Sequence, residues 1–412
     1  MIANRKHYQQ ESGKNYISAQ LLESLMDDRD RSINRIEIAT ETKRKLMQAR
    51  TLDEYKAISI PEELNFFGVY ERQVMDSYIS GFTLLSEEGT PRCQYGNMGA
   101  LASSISPDLY RGEIRDYGLS SGFSTLGRAL YSRNMNHESR LFAFFVEQIR
   151  KVIFTGFLTS FRQFREFPFG ETLDGLIAQH YGLTTQFIDL TDDIKVALFF
   201  ACCKHEGNNR YRPIRECDIE EMGKEGVIYH GHSNNARIIG FQPFCRCHRQ
   251  RGYYIDTAAA EPCWDFSLAK NTAFEKYYFE RTVALSERLF AEFEGGKILF
   301  PDDGLEPFGE AIDQIREAQT FPAAAFDIAY KVLCAYLEVY QANGRIGDAL
   351  TIKMRNKDYL SDRLVREGYE ICNKLKLKAS QALIDKMNIN WDPETFAQKE
   401  GFIYTPFIVM DK

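Results

Sequence analysis

Three short segments carry side chains able to handle a charged or hydroxylated ligand. They are Leu109-Tyr110-Arg111-Gly112, the run from His180-Tyr181-Gly182 through Thr185 to Asp189 and Thr191, and Gln250-Arg251-Gly252-Tyr253-Tyr254. In the first, an apolar and aromatic lead-in reads as a strand, and Gly112 lets a backbone or a ligand come close. The planar fork of Arg111 suits a phosphate or carboxylate, and a surface salt bridge is its competing use. In the second, His180 carries an imidazole that ordinarily titrates near neutrality. It could serve as acid or base, or as a structural hydrogen-bonding residue. In the third, Arg246, His248, Arg249 and Arg251 lead into Tyr253 and Tyr254. Charge beside aromatic rings suits a nucleotide or single-stranded nucleic acid, and a charge-guarded edge strand fits the same residues.

The elements around these residues follow from apolar spacing and turn chemistry. Leu176 to Gly182 reads as the end of a helix with Gly182 as its stop, and Thr184 to Leu190 reads as a strand. Thr191 is the expected N-cap of the next helix, whose buried body is Ile194 to Cys203. The free N–H groups at that helix start could hold a phosphate, although Asp192 and Asp193 would repel an anion unless they orient an arginine or a ribose hydroxyl. A longer helix is expected from Glu138 to Phe154, with strands in Gly226 to His232, Arg237 to Phe244 and Arg249 to Asp256. This mixture predicts an α+β fold, with a central mixed α/β domain over 105–295.

The flanks have a different texture. Residues 1–88 read as helical, with exposed helices between Gln20 and Met47 and two helical halves between Thr51 and Phe82. Gly89 to Ser106 is rich in Gly, Ser and Pro and reads as a linker. Residues 305–412 read as mainly helical, with one helix from Pro322 to Tyr340 stopping at Ala342-Asn343-Gly344. The following helix-turn-helix pattern occurs once, too few times to build a solenoid.

Composition narrows the function classes. The 412 residues are 44% hydrophobic and 26% charged, the profile of a globular chain with a large core. A net charge of −7 argues against a surface that clings to nucleic acid throughout, while leaving a local basic groove open. Asp327, Lys331 and Glu338 interrupt the most apolar helix, so no membrane segment is expected. The first residues lack an apolar signal region, and a cytoplasmic protein with reduced thiols is expected of the nine cysteines. Cys202, Cys203, His205, His230, His232, Cys245, Cys247 and His248 fit no standard zinc spacing, so no metal is expected.

Taken in order, Tyr110-Arg111-Gly112, the segment Gln179-His180-Tyr181-Gly182-Leu183-Thr184-Thr185-Gln186-Phe187-Ile188-Asp189-Leu190-Thr191 with its Ala-Leu-Phe-Phe-Ala helix, and Gln250-Arg251-Gly252-Tyr253 resemble the FRG domain family, named for a Phe/Tyr-Arg-Gly motif. The resemblance spans Asp108 to Asp256. The chain departs from the family's central motif at Thr184, Gln186 and Leu190, where Pro, Arg and Trp are usual. The same order of elements looks like the split sheet of ADP-ribosyltransferases. That likeness implies NAD as ligand, with Arg111, His180, Asp189 and Gln250 in catalytic roles. Tyr110, Gly112, Tyr181, Thr185, Thr191, Gly252 and Tyr254 would then line the nucleotide site. It also implies a protein or nucleic-acid target and a role in stress or phage defence. Gly252 falls where those enzymes carry a glutamate, so another acid, Asp189, Glu113 or Glu261, must substitute, or the fold binds a nucleotide without transferring it. Both an enzyme and a non-catalytic binding or regulatory module therefore stay open.

Overall fold

The structure is a computed structural model that describes residues 8–11, 14–34, 109–119, 121–122, 136–165, 174–207, 210–231, 236–238, 246–256, 274–301, 306–342, 344, 346–375 and 379–388, with the two-residue strands at 79–80, 84–85, 91–92 and 403–404. The helices expected within 51–82 and the linker at 89–106 lie outside these residues, apart from those short strands. Glu261, His232 and Cys245 lie outside them as well.

The fold is α+β and is organised on an eight-stranded mixed sheet. In chain order its strands are β1 (Tyr8–Glu11), β2 (Lys14–Ile17), β3 (Leu109–Glu113), β4 (Phe187–Thr191), β5 (Glu225–Gly231), β6 (Arg237–Ile238), β7 (Gly252–Asp256) and β8 (Phe274–Glu280). Across the sheet the order is β1-β2-β8-β5-β3-β4-β7-β6, and the pairings are antiparallel except β2 with β8. Central β5 is buried along nearly its whole length, as expected of a strand covered on both faces.

One face of the sheet packs on α1 (Ala19–Asn34), on α4 (Ile194–Cys202) and on α7 (Val283–Glu292), through Leu21, Leu25, Leu198, Ala201, Ile228 and Leu289. Two further helices, α2 (His137–Leu158) and α3 (Asp174–His180), stand beside it. Helix α2 buries Phe154 and Phe157 with Ile177 of α3 and Ile312 of α8 (Glu306–Glu317). Its other half packs Phe145 and Ile149 against α9 (Ala323–Ala342), α10 (Asp348–Met354) and α11 (Lys357–Arg366). Helix α5 (Glu216–Met222) precedes β5, and the single turn α6 (Arg246–Arg249) precedes β7.

Several expectations change at this level. Helix α1 is not simply exposed: Leu21, Leu22, Leu25 and Met26 form a stripe buried on the sheet core, and its charges fill the opposite side. The sheet also reaches beyond 105–295, because β2 from the N-terminal segment pairs with β8. Helix α9 ends as expected, with Gly344 at φ 65° just beyond it. Among the described residues no helix is long and apolar enough to cross a membrane.

Candidate functional site

The cleft begins where two neighbouring strands part. β3 and β4 share one registered pair, Tyr110 with Thr191. Continued antiparallel pairing would next set Gly112 opposite Asp189, but the ladder stops. The Asp189 carbonyl instead accepts a 2.9 Å hydrogen bond from Arg111 Nη1. A side-chain donor thus replaces a backbone donor, satisfying the carbonyl while the strands splay. The opening is a cavity of about 450 Å³, within the range of ligand pockets.

Gly112 is small for a packing reason. A Cβ there would sit 1.7 Å from the Ala197 carbonyl oxygen, so β3 can lie against α4 only if this position is glycine. It lines the cleft, and its lack of a side chain is required by the helix behind it.

Four residues expected to act together meet here. Arg111, His180, Asp189 and Gln250, from β3, the end of α3, β4 and the turn after α6, all line the cavity. Of the expected binding residues, Tyr110, Gly112, Thr191 and Gly252 line it too, whereas Tyr181, Thr185 and Tyr254 do not. Tyr181 lies under the Arg246 guanidinium, 4.1 Å from its ring centroid, and Tyr254 packs edge-on against Phe187 at 5.4 Å. Thr185 is buried and donates to Gln179 Oε1. These three hold the walls together.

Gln250 Nε2 donates to the Leu299 carbonyl at 3.1 Å, and the Gln250 side chain beside His180 favours its cation. His180 Nε2 is buried and has no hydrogen-bond partner within the protein. Burial pushes the imidazole pKa down, Asp189 partly offsets this, and Arg246 reinforces it. His180 is therefore a buried neutral base whose Nε2 lies 3.7 Å from Asp189 Oδ1, and that oxygen is also buried and unpartnered.

Glu113 is the residue the sequence left undervalued. Its Oε1 accepts from Arg111 Nε at 3.1 Å, while Oε2 is buried in the cleft wall without a partner. Burial pushes this carboxyl up, and Arg111 opposes the shift. The available signal was spacing, since residues two apart on a strand share a face and Glu113 must accompany Arg111. The other wall is aromatic, with Tyr211 stacked on Phe300 at 5.2 Å and Phe200 beside them. Tyr211 comes from a hairpin and Phe300 from a turn, and no local pattern links them. Cys203 also lines the cavity, but burial pushes its thiol up to about 12, so it is no nucleophile at neutral pH.

Two expected anion sites are already occupied by the protein. Asp193, not Thr191, caps α4: its carboxylate accepts from Lys195 N at 2.9 Å and pairs with Arg29 of α1. Thr191 instead donates to the Gln250 carbonyl at 2.9 Å and accepts from Asp193 N, which locks the turn before the helix. A phosphate would have to displace a carboxylate from that helix start. Of the three arginines after Cys245, two are committed within the protein and only Arg249 is exposed. Arg246 is buried between the rings of Tyr181 and Phe300 and donates to the His180 carbonyl at 2.7 Å. Arg251 makes a two-pronged bond to Asp192, at 2.5 and 2.8 Å, from a backbone with φ 49°. Arg246–Arg249 form the turn α6, and the strand expected from Arg249 begins only at Gly252, as β7, which lies between β4 and β6 rather than at the edge of the sheet.

Comparison with known proteins covers the first two of the three motifs, and Gln250 to Tyr253 lies outside the matched span. Residues 106–210 match the model of the FRG domain, a span that includes β3, α2, α3, β4 and α4 and three of the four converging residues. No curated protein and no solved structure matches the chain.

Proposed function

We propose that the FRG domain of this chain binds NAD in the cleft between β3 and β4 and acts on it as an ADP-ribosyltransferase-like enzyme. The observation that carries this reading is the convergence of Arg111, His180, Asp189 and Gln250 on one cavity of nucleotide size. Arg111, 30% exposed at its side chain, retains donors for a phosphate or carboxamide oxygen. In the proposed step the bond between the ribose C1′ and the nicotinamide nitrogen breaks, and nicotinamide leaves with the electron pair. The positive charge left on the sugar is stabilised by the Asp189 and Glu113 carboxylates. The acceptor's nucleophilic oxygen or nitrogen bonds to C1′, and its proton passes to His180 Nε2, the unpartnered base held by Gln250. The acceptor is a protein or a nucleic acid, and the resemblance implies a setting of stress or phage defence.

The test is nicotinamide release from NAD by the purified chain, with nucleotide binding measured in parallel. Release that falls about a hundredfold or more in Arg111→Ala and His180→Ala, with melting temperatures held, supports the enzyme. One observation favours a second reading, a nucleotide-binding regulatory module: Gly252 lines the cavity opposite Thr191 and supplies no carboxylate. Nucleotide binding without release under any condition selects that module. Absence of nucleotide binding overturns both.

A further inference from the structure

Helix α3 ends at His180, and its last carbonyls need donors from beyond the helix. The Ala178 carbonyl accepts from Leu183 N at 2.8 Å, and the Gln179 carbonyl from Gly182 N at 3.0 Å. The His180 carbonyl instead accepts from Arg246 Nη1 at 2.7 Å. The end of α3 is thereby tied to α6, which lies outside the span that matches the FRG model.

A guanidinium is a costly donor for that one bond. Arg246 is 6% exposed, and its Nε is buried without a hydrogen-bond partner. What it adds over a neutral donor is a plane and a charge. The plane lies 4.1 Å from the Tyr181 ring centroid and 5.2 Å from that of Phe300. Tyr181 follows His180 in the chain, and Phe300, stacked on Tyr211, belongs to the aromatic wall of the cleft. One side chain thus joins the residue next to His180 to that wall. The same turn makes a further link: Gln250 N donates to the Arg246 carbonyl at 3.1 Å, and Gln250 Nε2 donates to Leu299, the residue before Phe300. The charge acts on the imidazole. Burial is the main cause that keeps it neutral, Asp189 of β4 and Gln250 oppose this, and Arg246 adds to the burial. Arg111 and Glu113 of β3 line the same cavity, and Arg316 of α8 reaches the Gly182 carbonyl at 2.9 Å.

Resting on the enzyme reading above, we infer that Arg246 is the positioning residue for His180: its guanidinium, held flat between Tyr181 and Phe300, fixes the His180 backbone against the aromatic wall and so places the imidazole in the cleft. It touches no reacting atom and acts through His180.

The test compares Arg246→Met, which keeps length but loses charge, plane and donor, with Arg246→Lys, which keeps the charge and a donor. Both are made in the full chain. The His180 imidazole is titrated by NMR, its signal assigned by its absence in His180→Asn, and nicotinamide release from NAD is followed against pH. In Arg246→Met the imidazole should titrate at higher pH than in the wild type, and the acid limb of the release profile should move the same way. Its kcat should fall about tenfold with KM within about twofold, because a misplaced base weakens the transition state more than the bound substrate. Arg246→Lys should bring the titration back towards the wild type and leave a loss in kcat of about threefold, from the missing plane. If Arg246→Met does not fold, that threefold loss in Arg246→Lys decides the matter. A lowered melting temperature with wild-type titration, kcat and pH profile would make Arg246 structural only and overturn the inference, as would full kcat in Arg246→Lys. Absence of nicotinamide release from the wild type overturns the enzyme reading, whereas an unmoved His180 titration in a folded Arg246→Met overturns the role of Arg246 alone.

Discussion

His180 Nε2 and Asp189 Oδ1 face each other across 3.7 Å, both buried and neither hydrogen-bonded within the protein. The separation is too long for a direct hydrogen bond. A ligand hydroxyl placed beside them would satisfy either one. The arrangement holds because Gln250 anchors the far side of the ring and Arg246 anchors the His180 carbonyl.

Folding lowers the His180 pKa below its ordinary 6.5 because burial disfavours the imidazolium. As pH falls, the unfolded chain therefore takes up this proton first. The His180 contribution to stability is complete above about 6.5 and declines as pH falls below it. Asp189 facing it from β4 favours the cation, and Arg246 from α6 opposes it. Melting temperature followed between about pH 7.5 and pH 5.5 should drop less in His180→Asn than in the wild type. Equal slopes would mean that His180 is not buried neutral.

Gly112→Ala should cost at least about 3 kcal/mol, since the added methyl group meets a helix carbonyl rather than a movable side chain. Denaturant unfolding checks this, and wild-type stability in the variant would show that α4 does not press on β3 as described.

Thr191→Val keeps the shape of the side chain and removes both bonds of its hydroxyl, to the Gln250 carbonyl and from Asp193 N. The expected loss is about 1–2 kcal/mol in urea unfolding. Because Gln250 then loses an anchor, ligand affinity should fall by roughly tenfold as well. A stability loss with unchanged affinity would separate this turn from the site.

Cys203 should resist iodoacetamide in the native protein near pH 8 and react once denaturant is added, because its thiol is buried and its pKa is pushed up to about 12. Cys203→Ser should keep nucleotide binding. Rapid native labelling at Cys203, located by peptide mass, would contradict the burial.

What the sequence determined by itself was the part governed by short windows. The apolar helix starting at Ile194, the stop at Gly182 and a strand just before that helix follow from local spacing and turn chemistry, although the strand runs through Thr191 rather than ending at Leu190, and the ordered motifs identified residues that do converge. What only the tertiary structure decided was the use of each charge. Asp193 is claimed by Arg29, 164 residues earlier, and Arg251 by Asp192, 59 residues earlier. Those pairings turned an apparent helix-end phosphate site into a capped terminus and took Arg251 out of an apparent basic patch. The reserve of the cleft, three buried polar atoms without hydrogen-bond partners beside Arg111, lies where β3 and β4 separate after a single pair. Electrostatic partners are set by distance in space, and no window of sequence contains that distance.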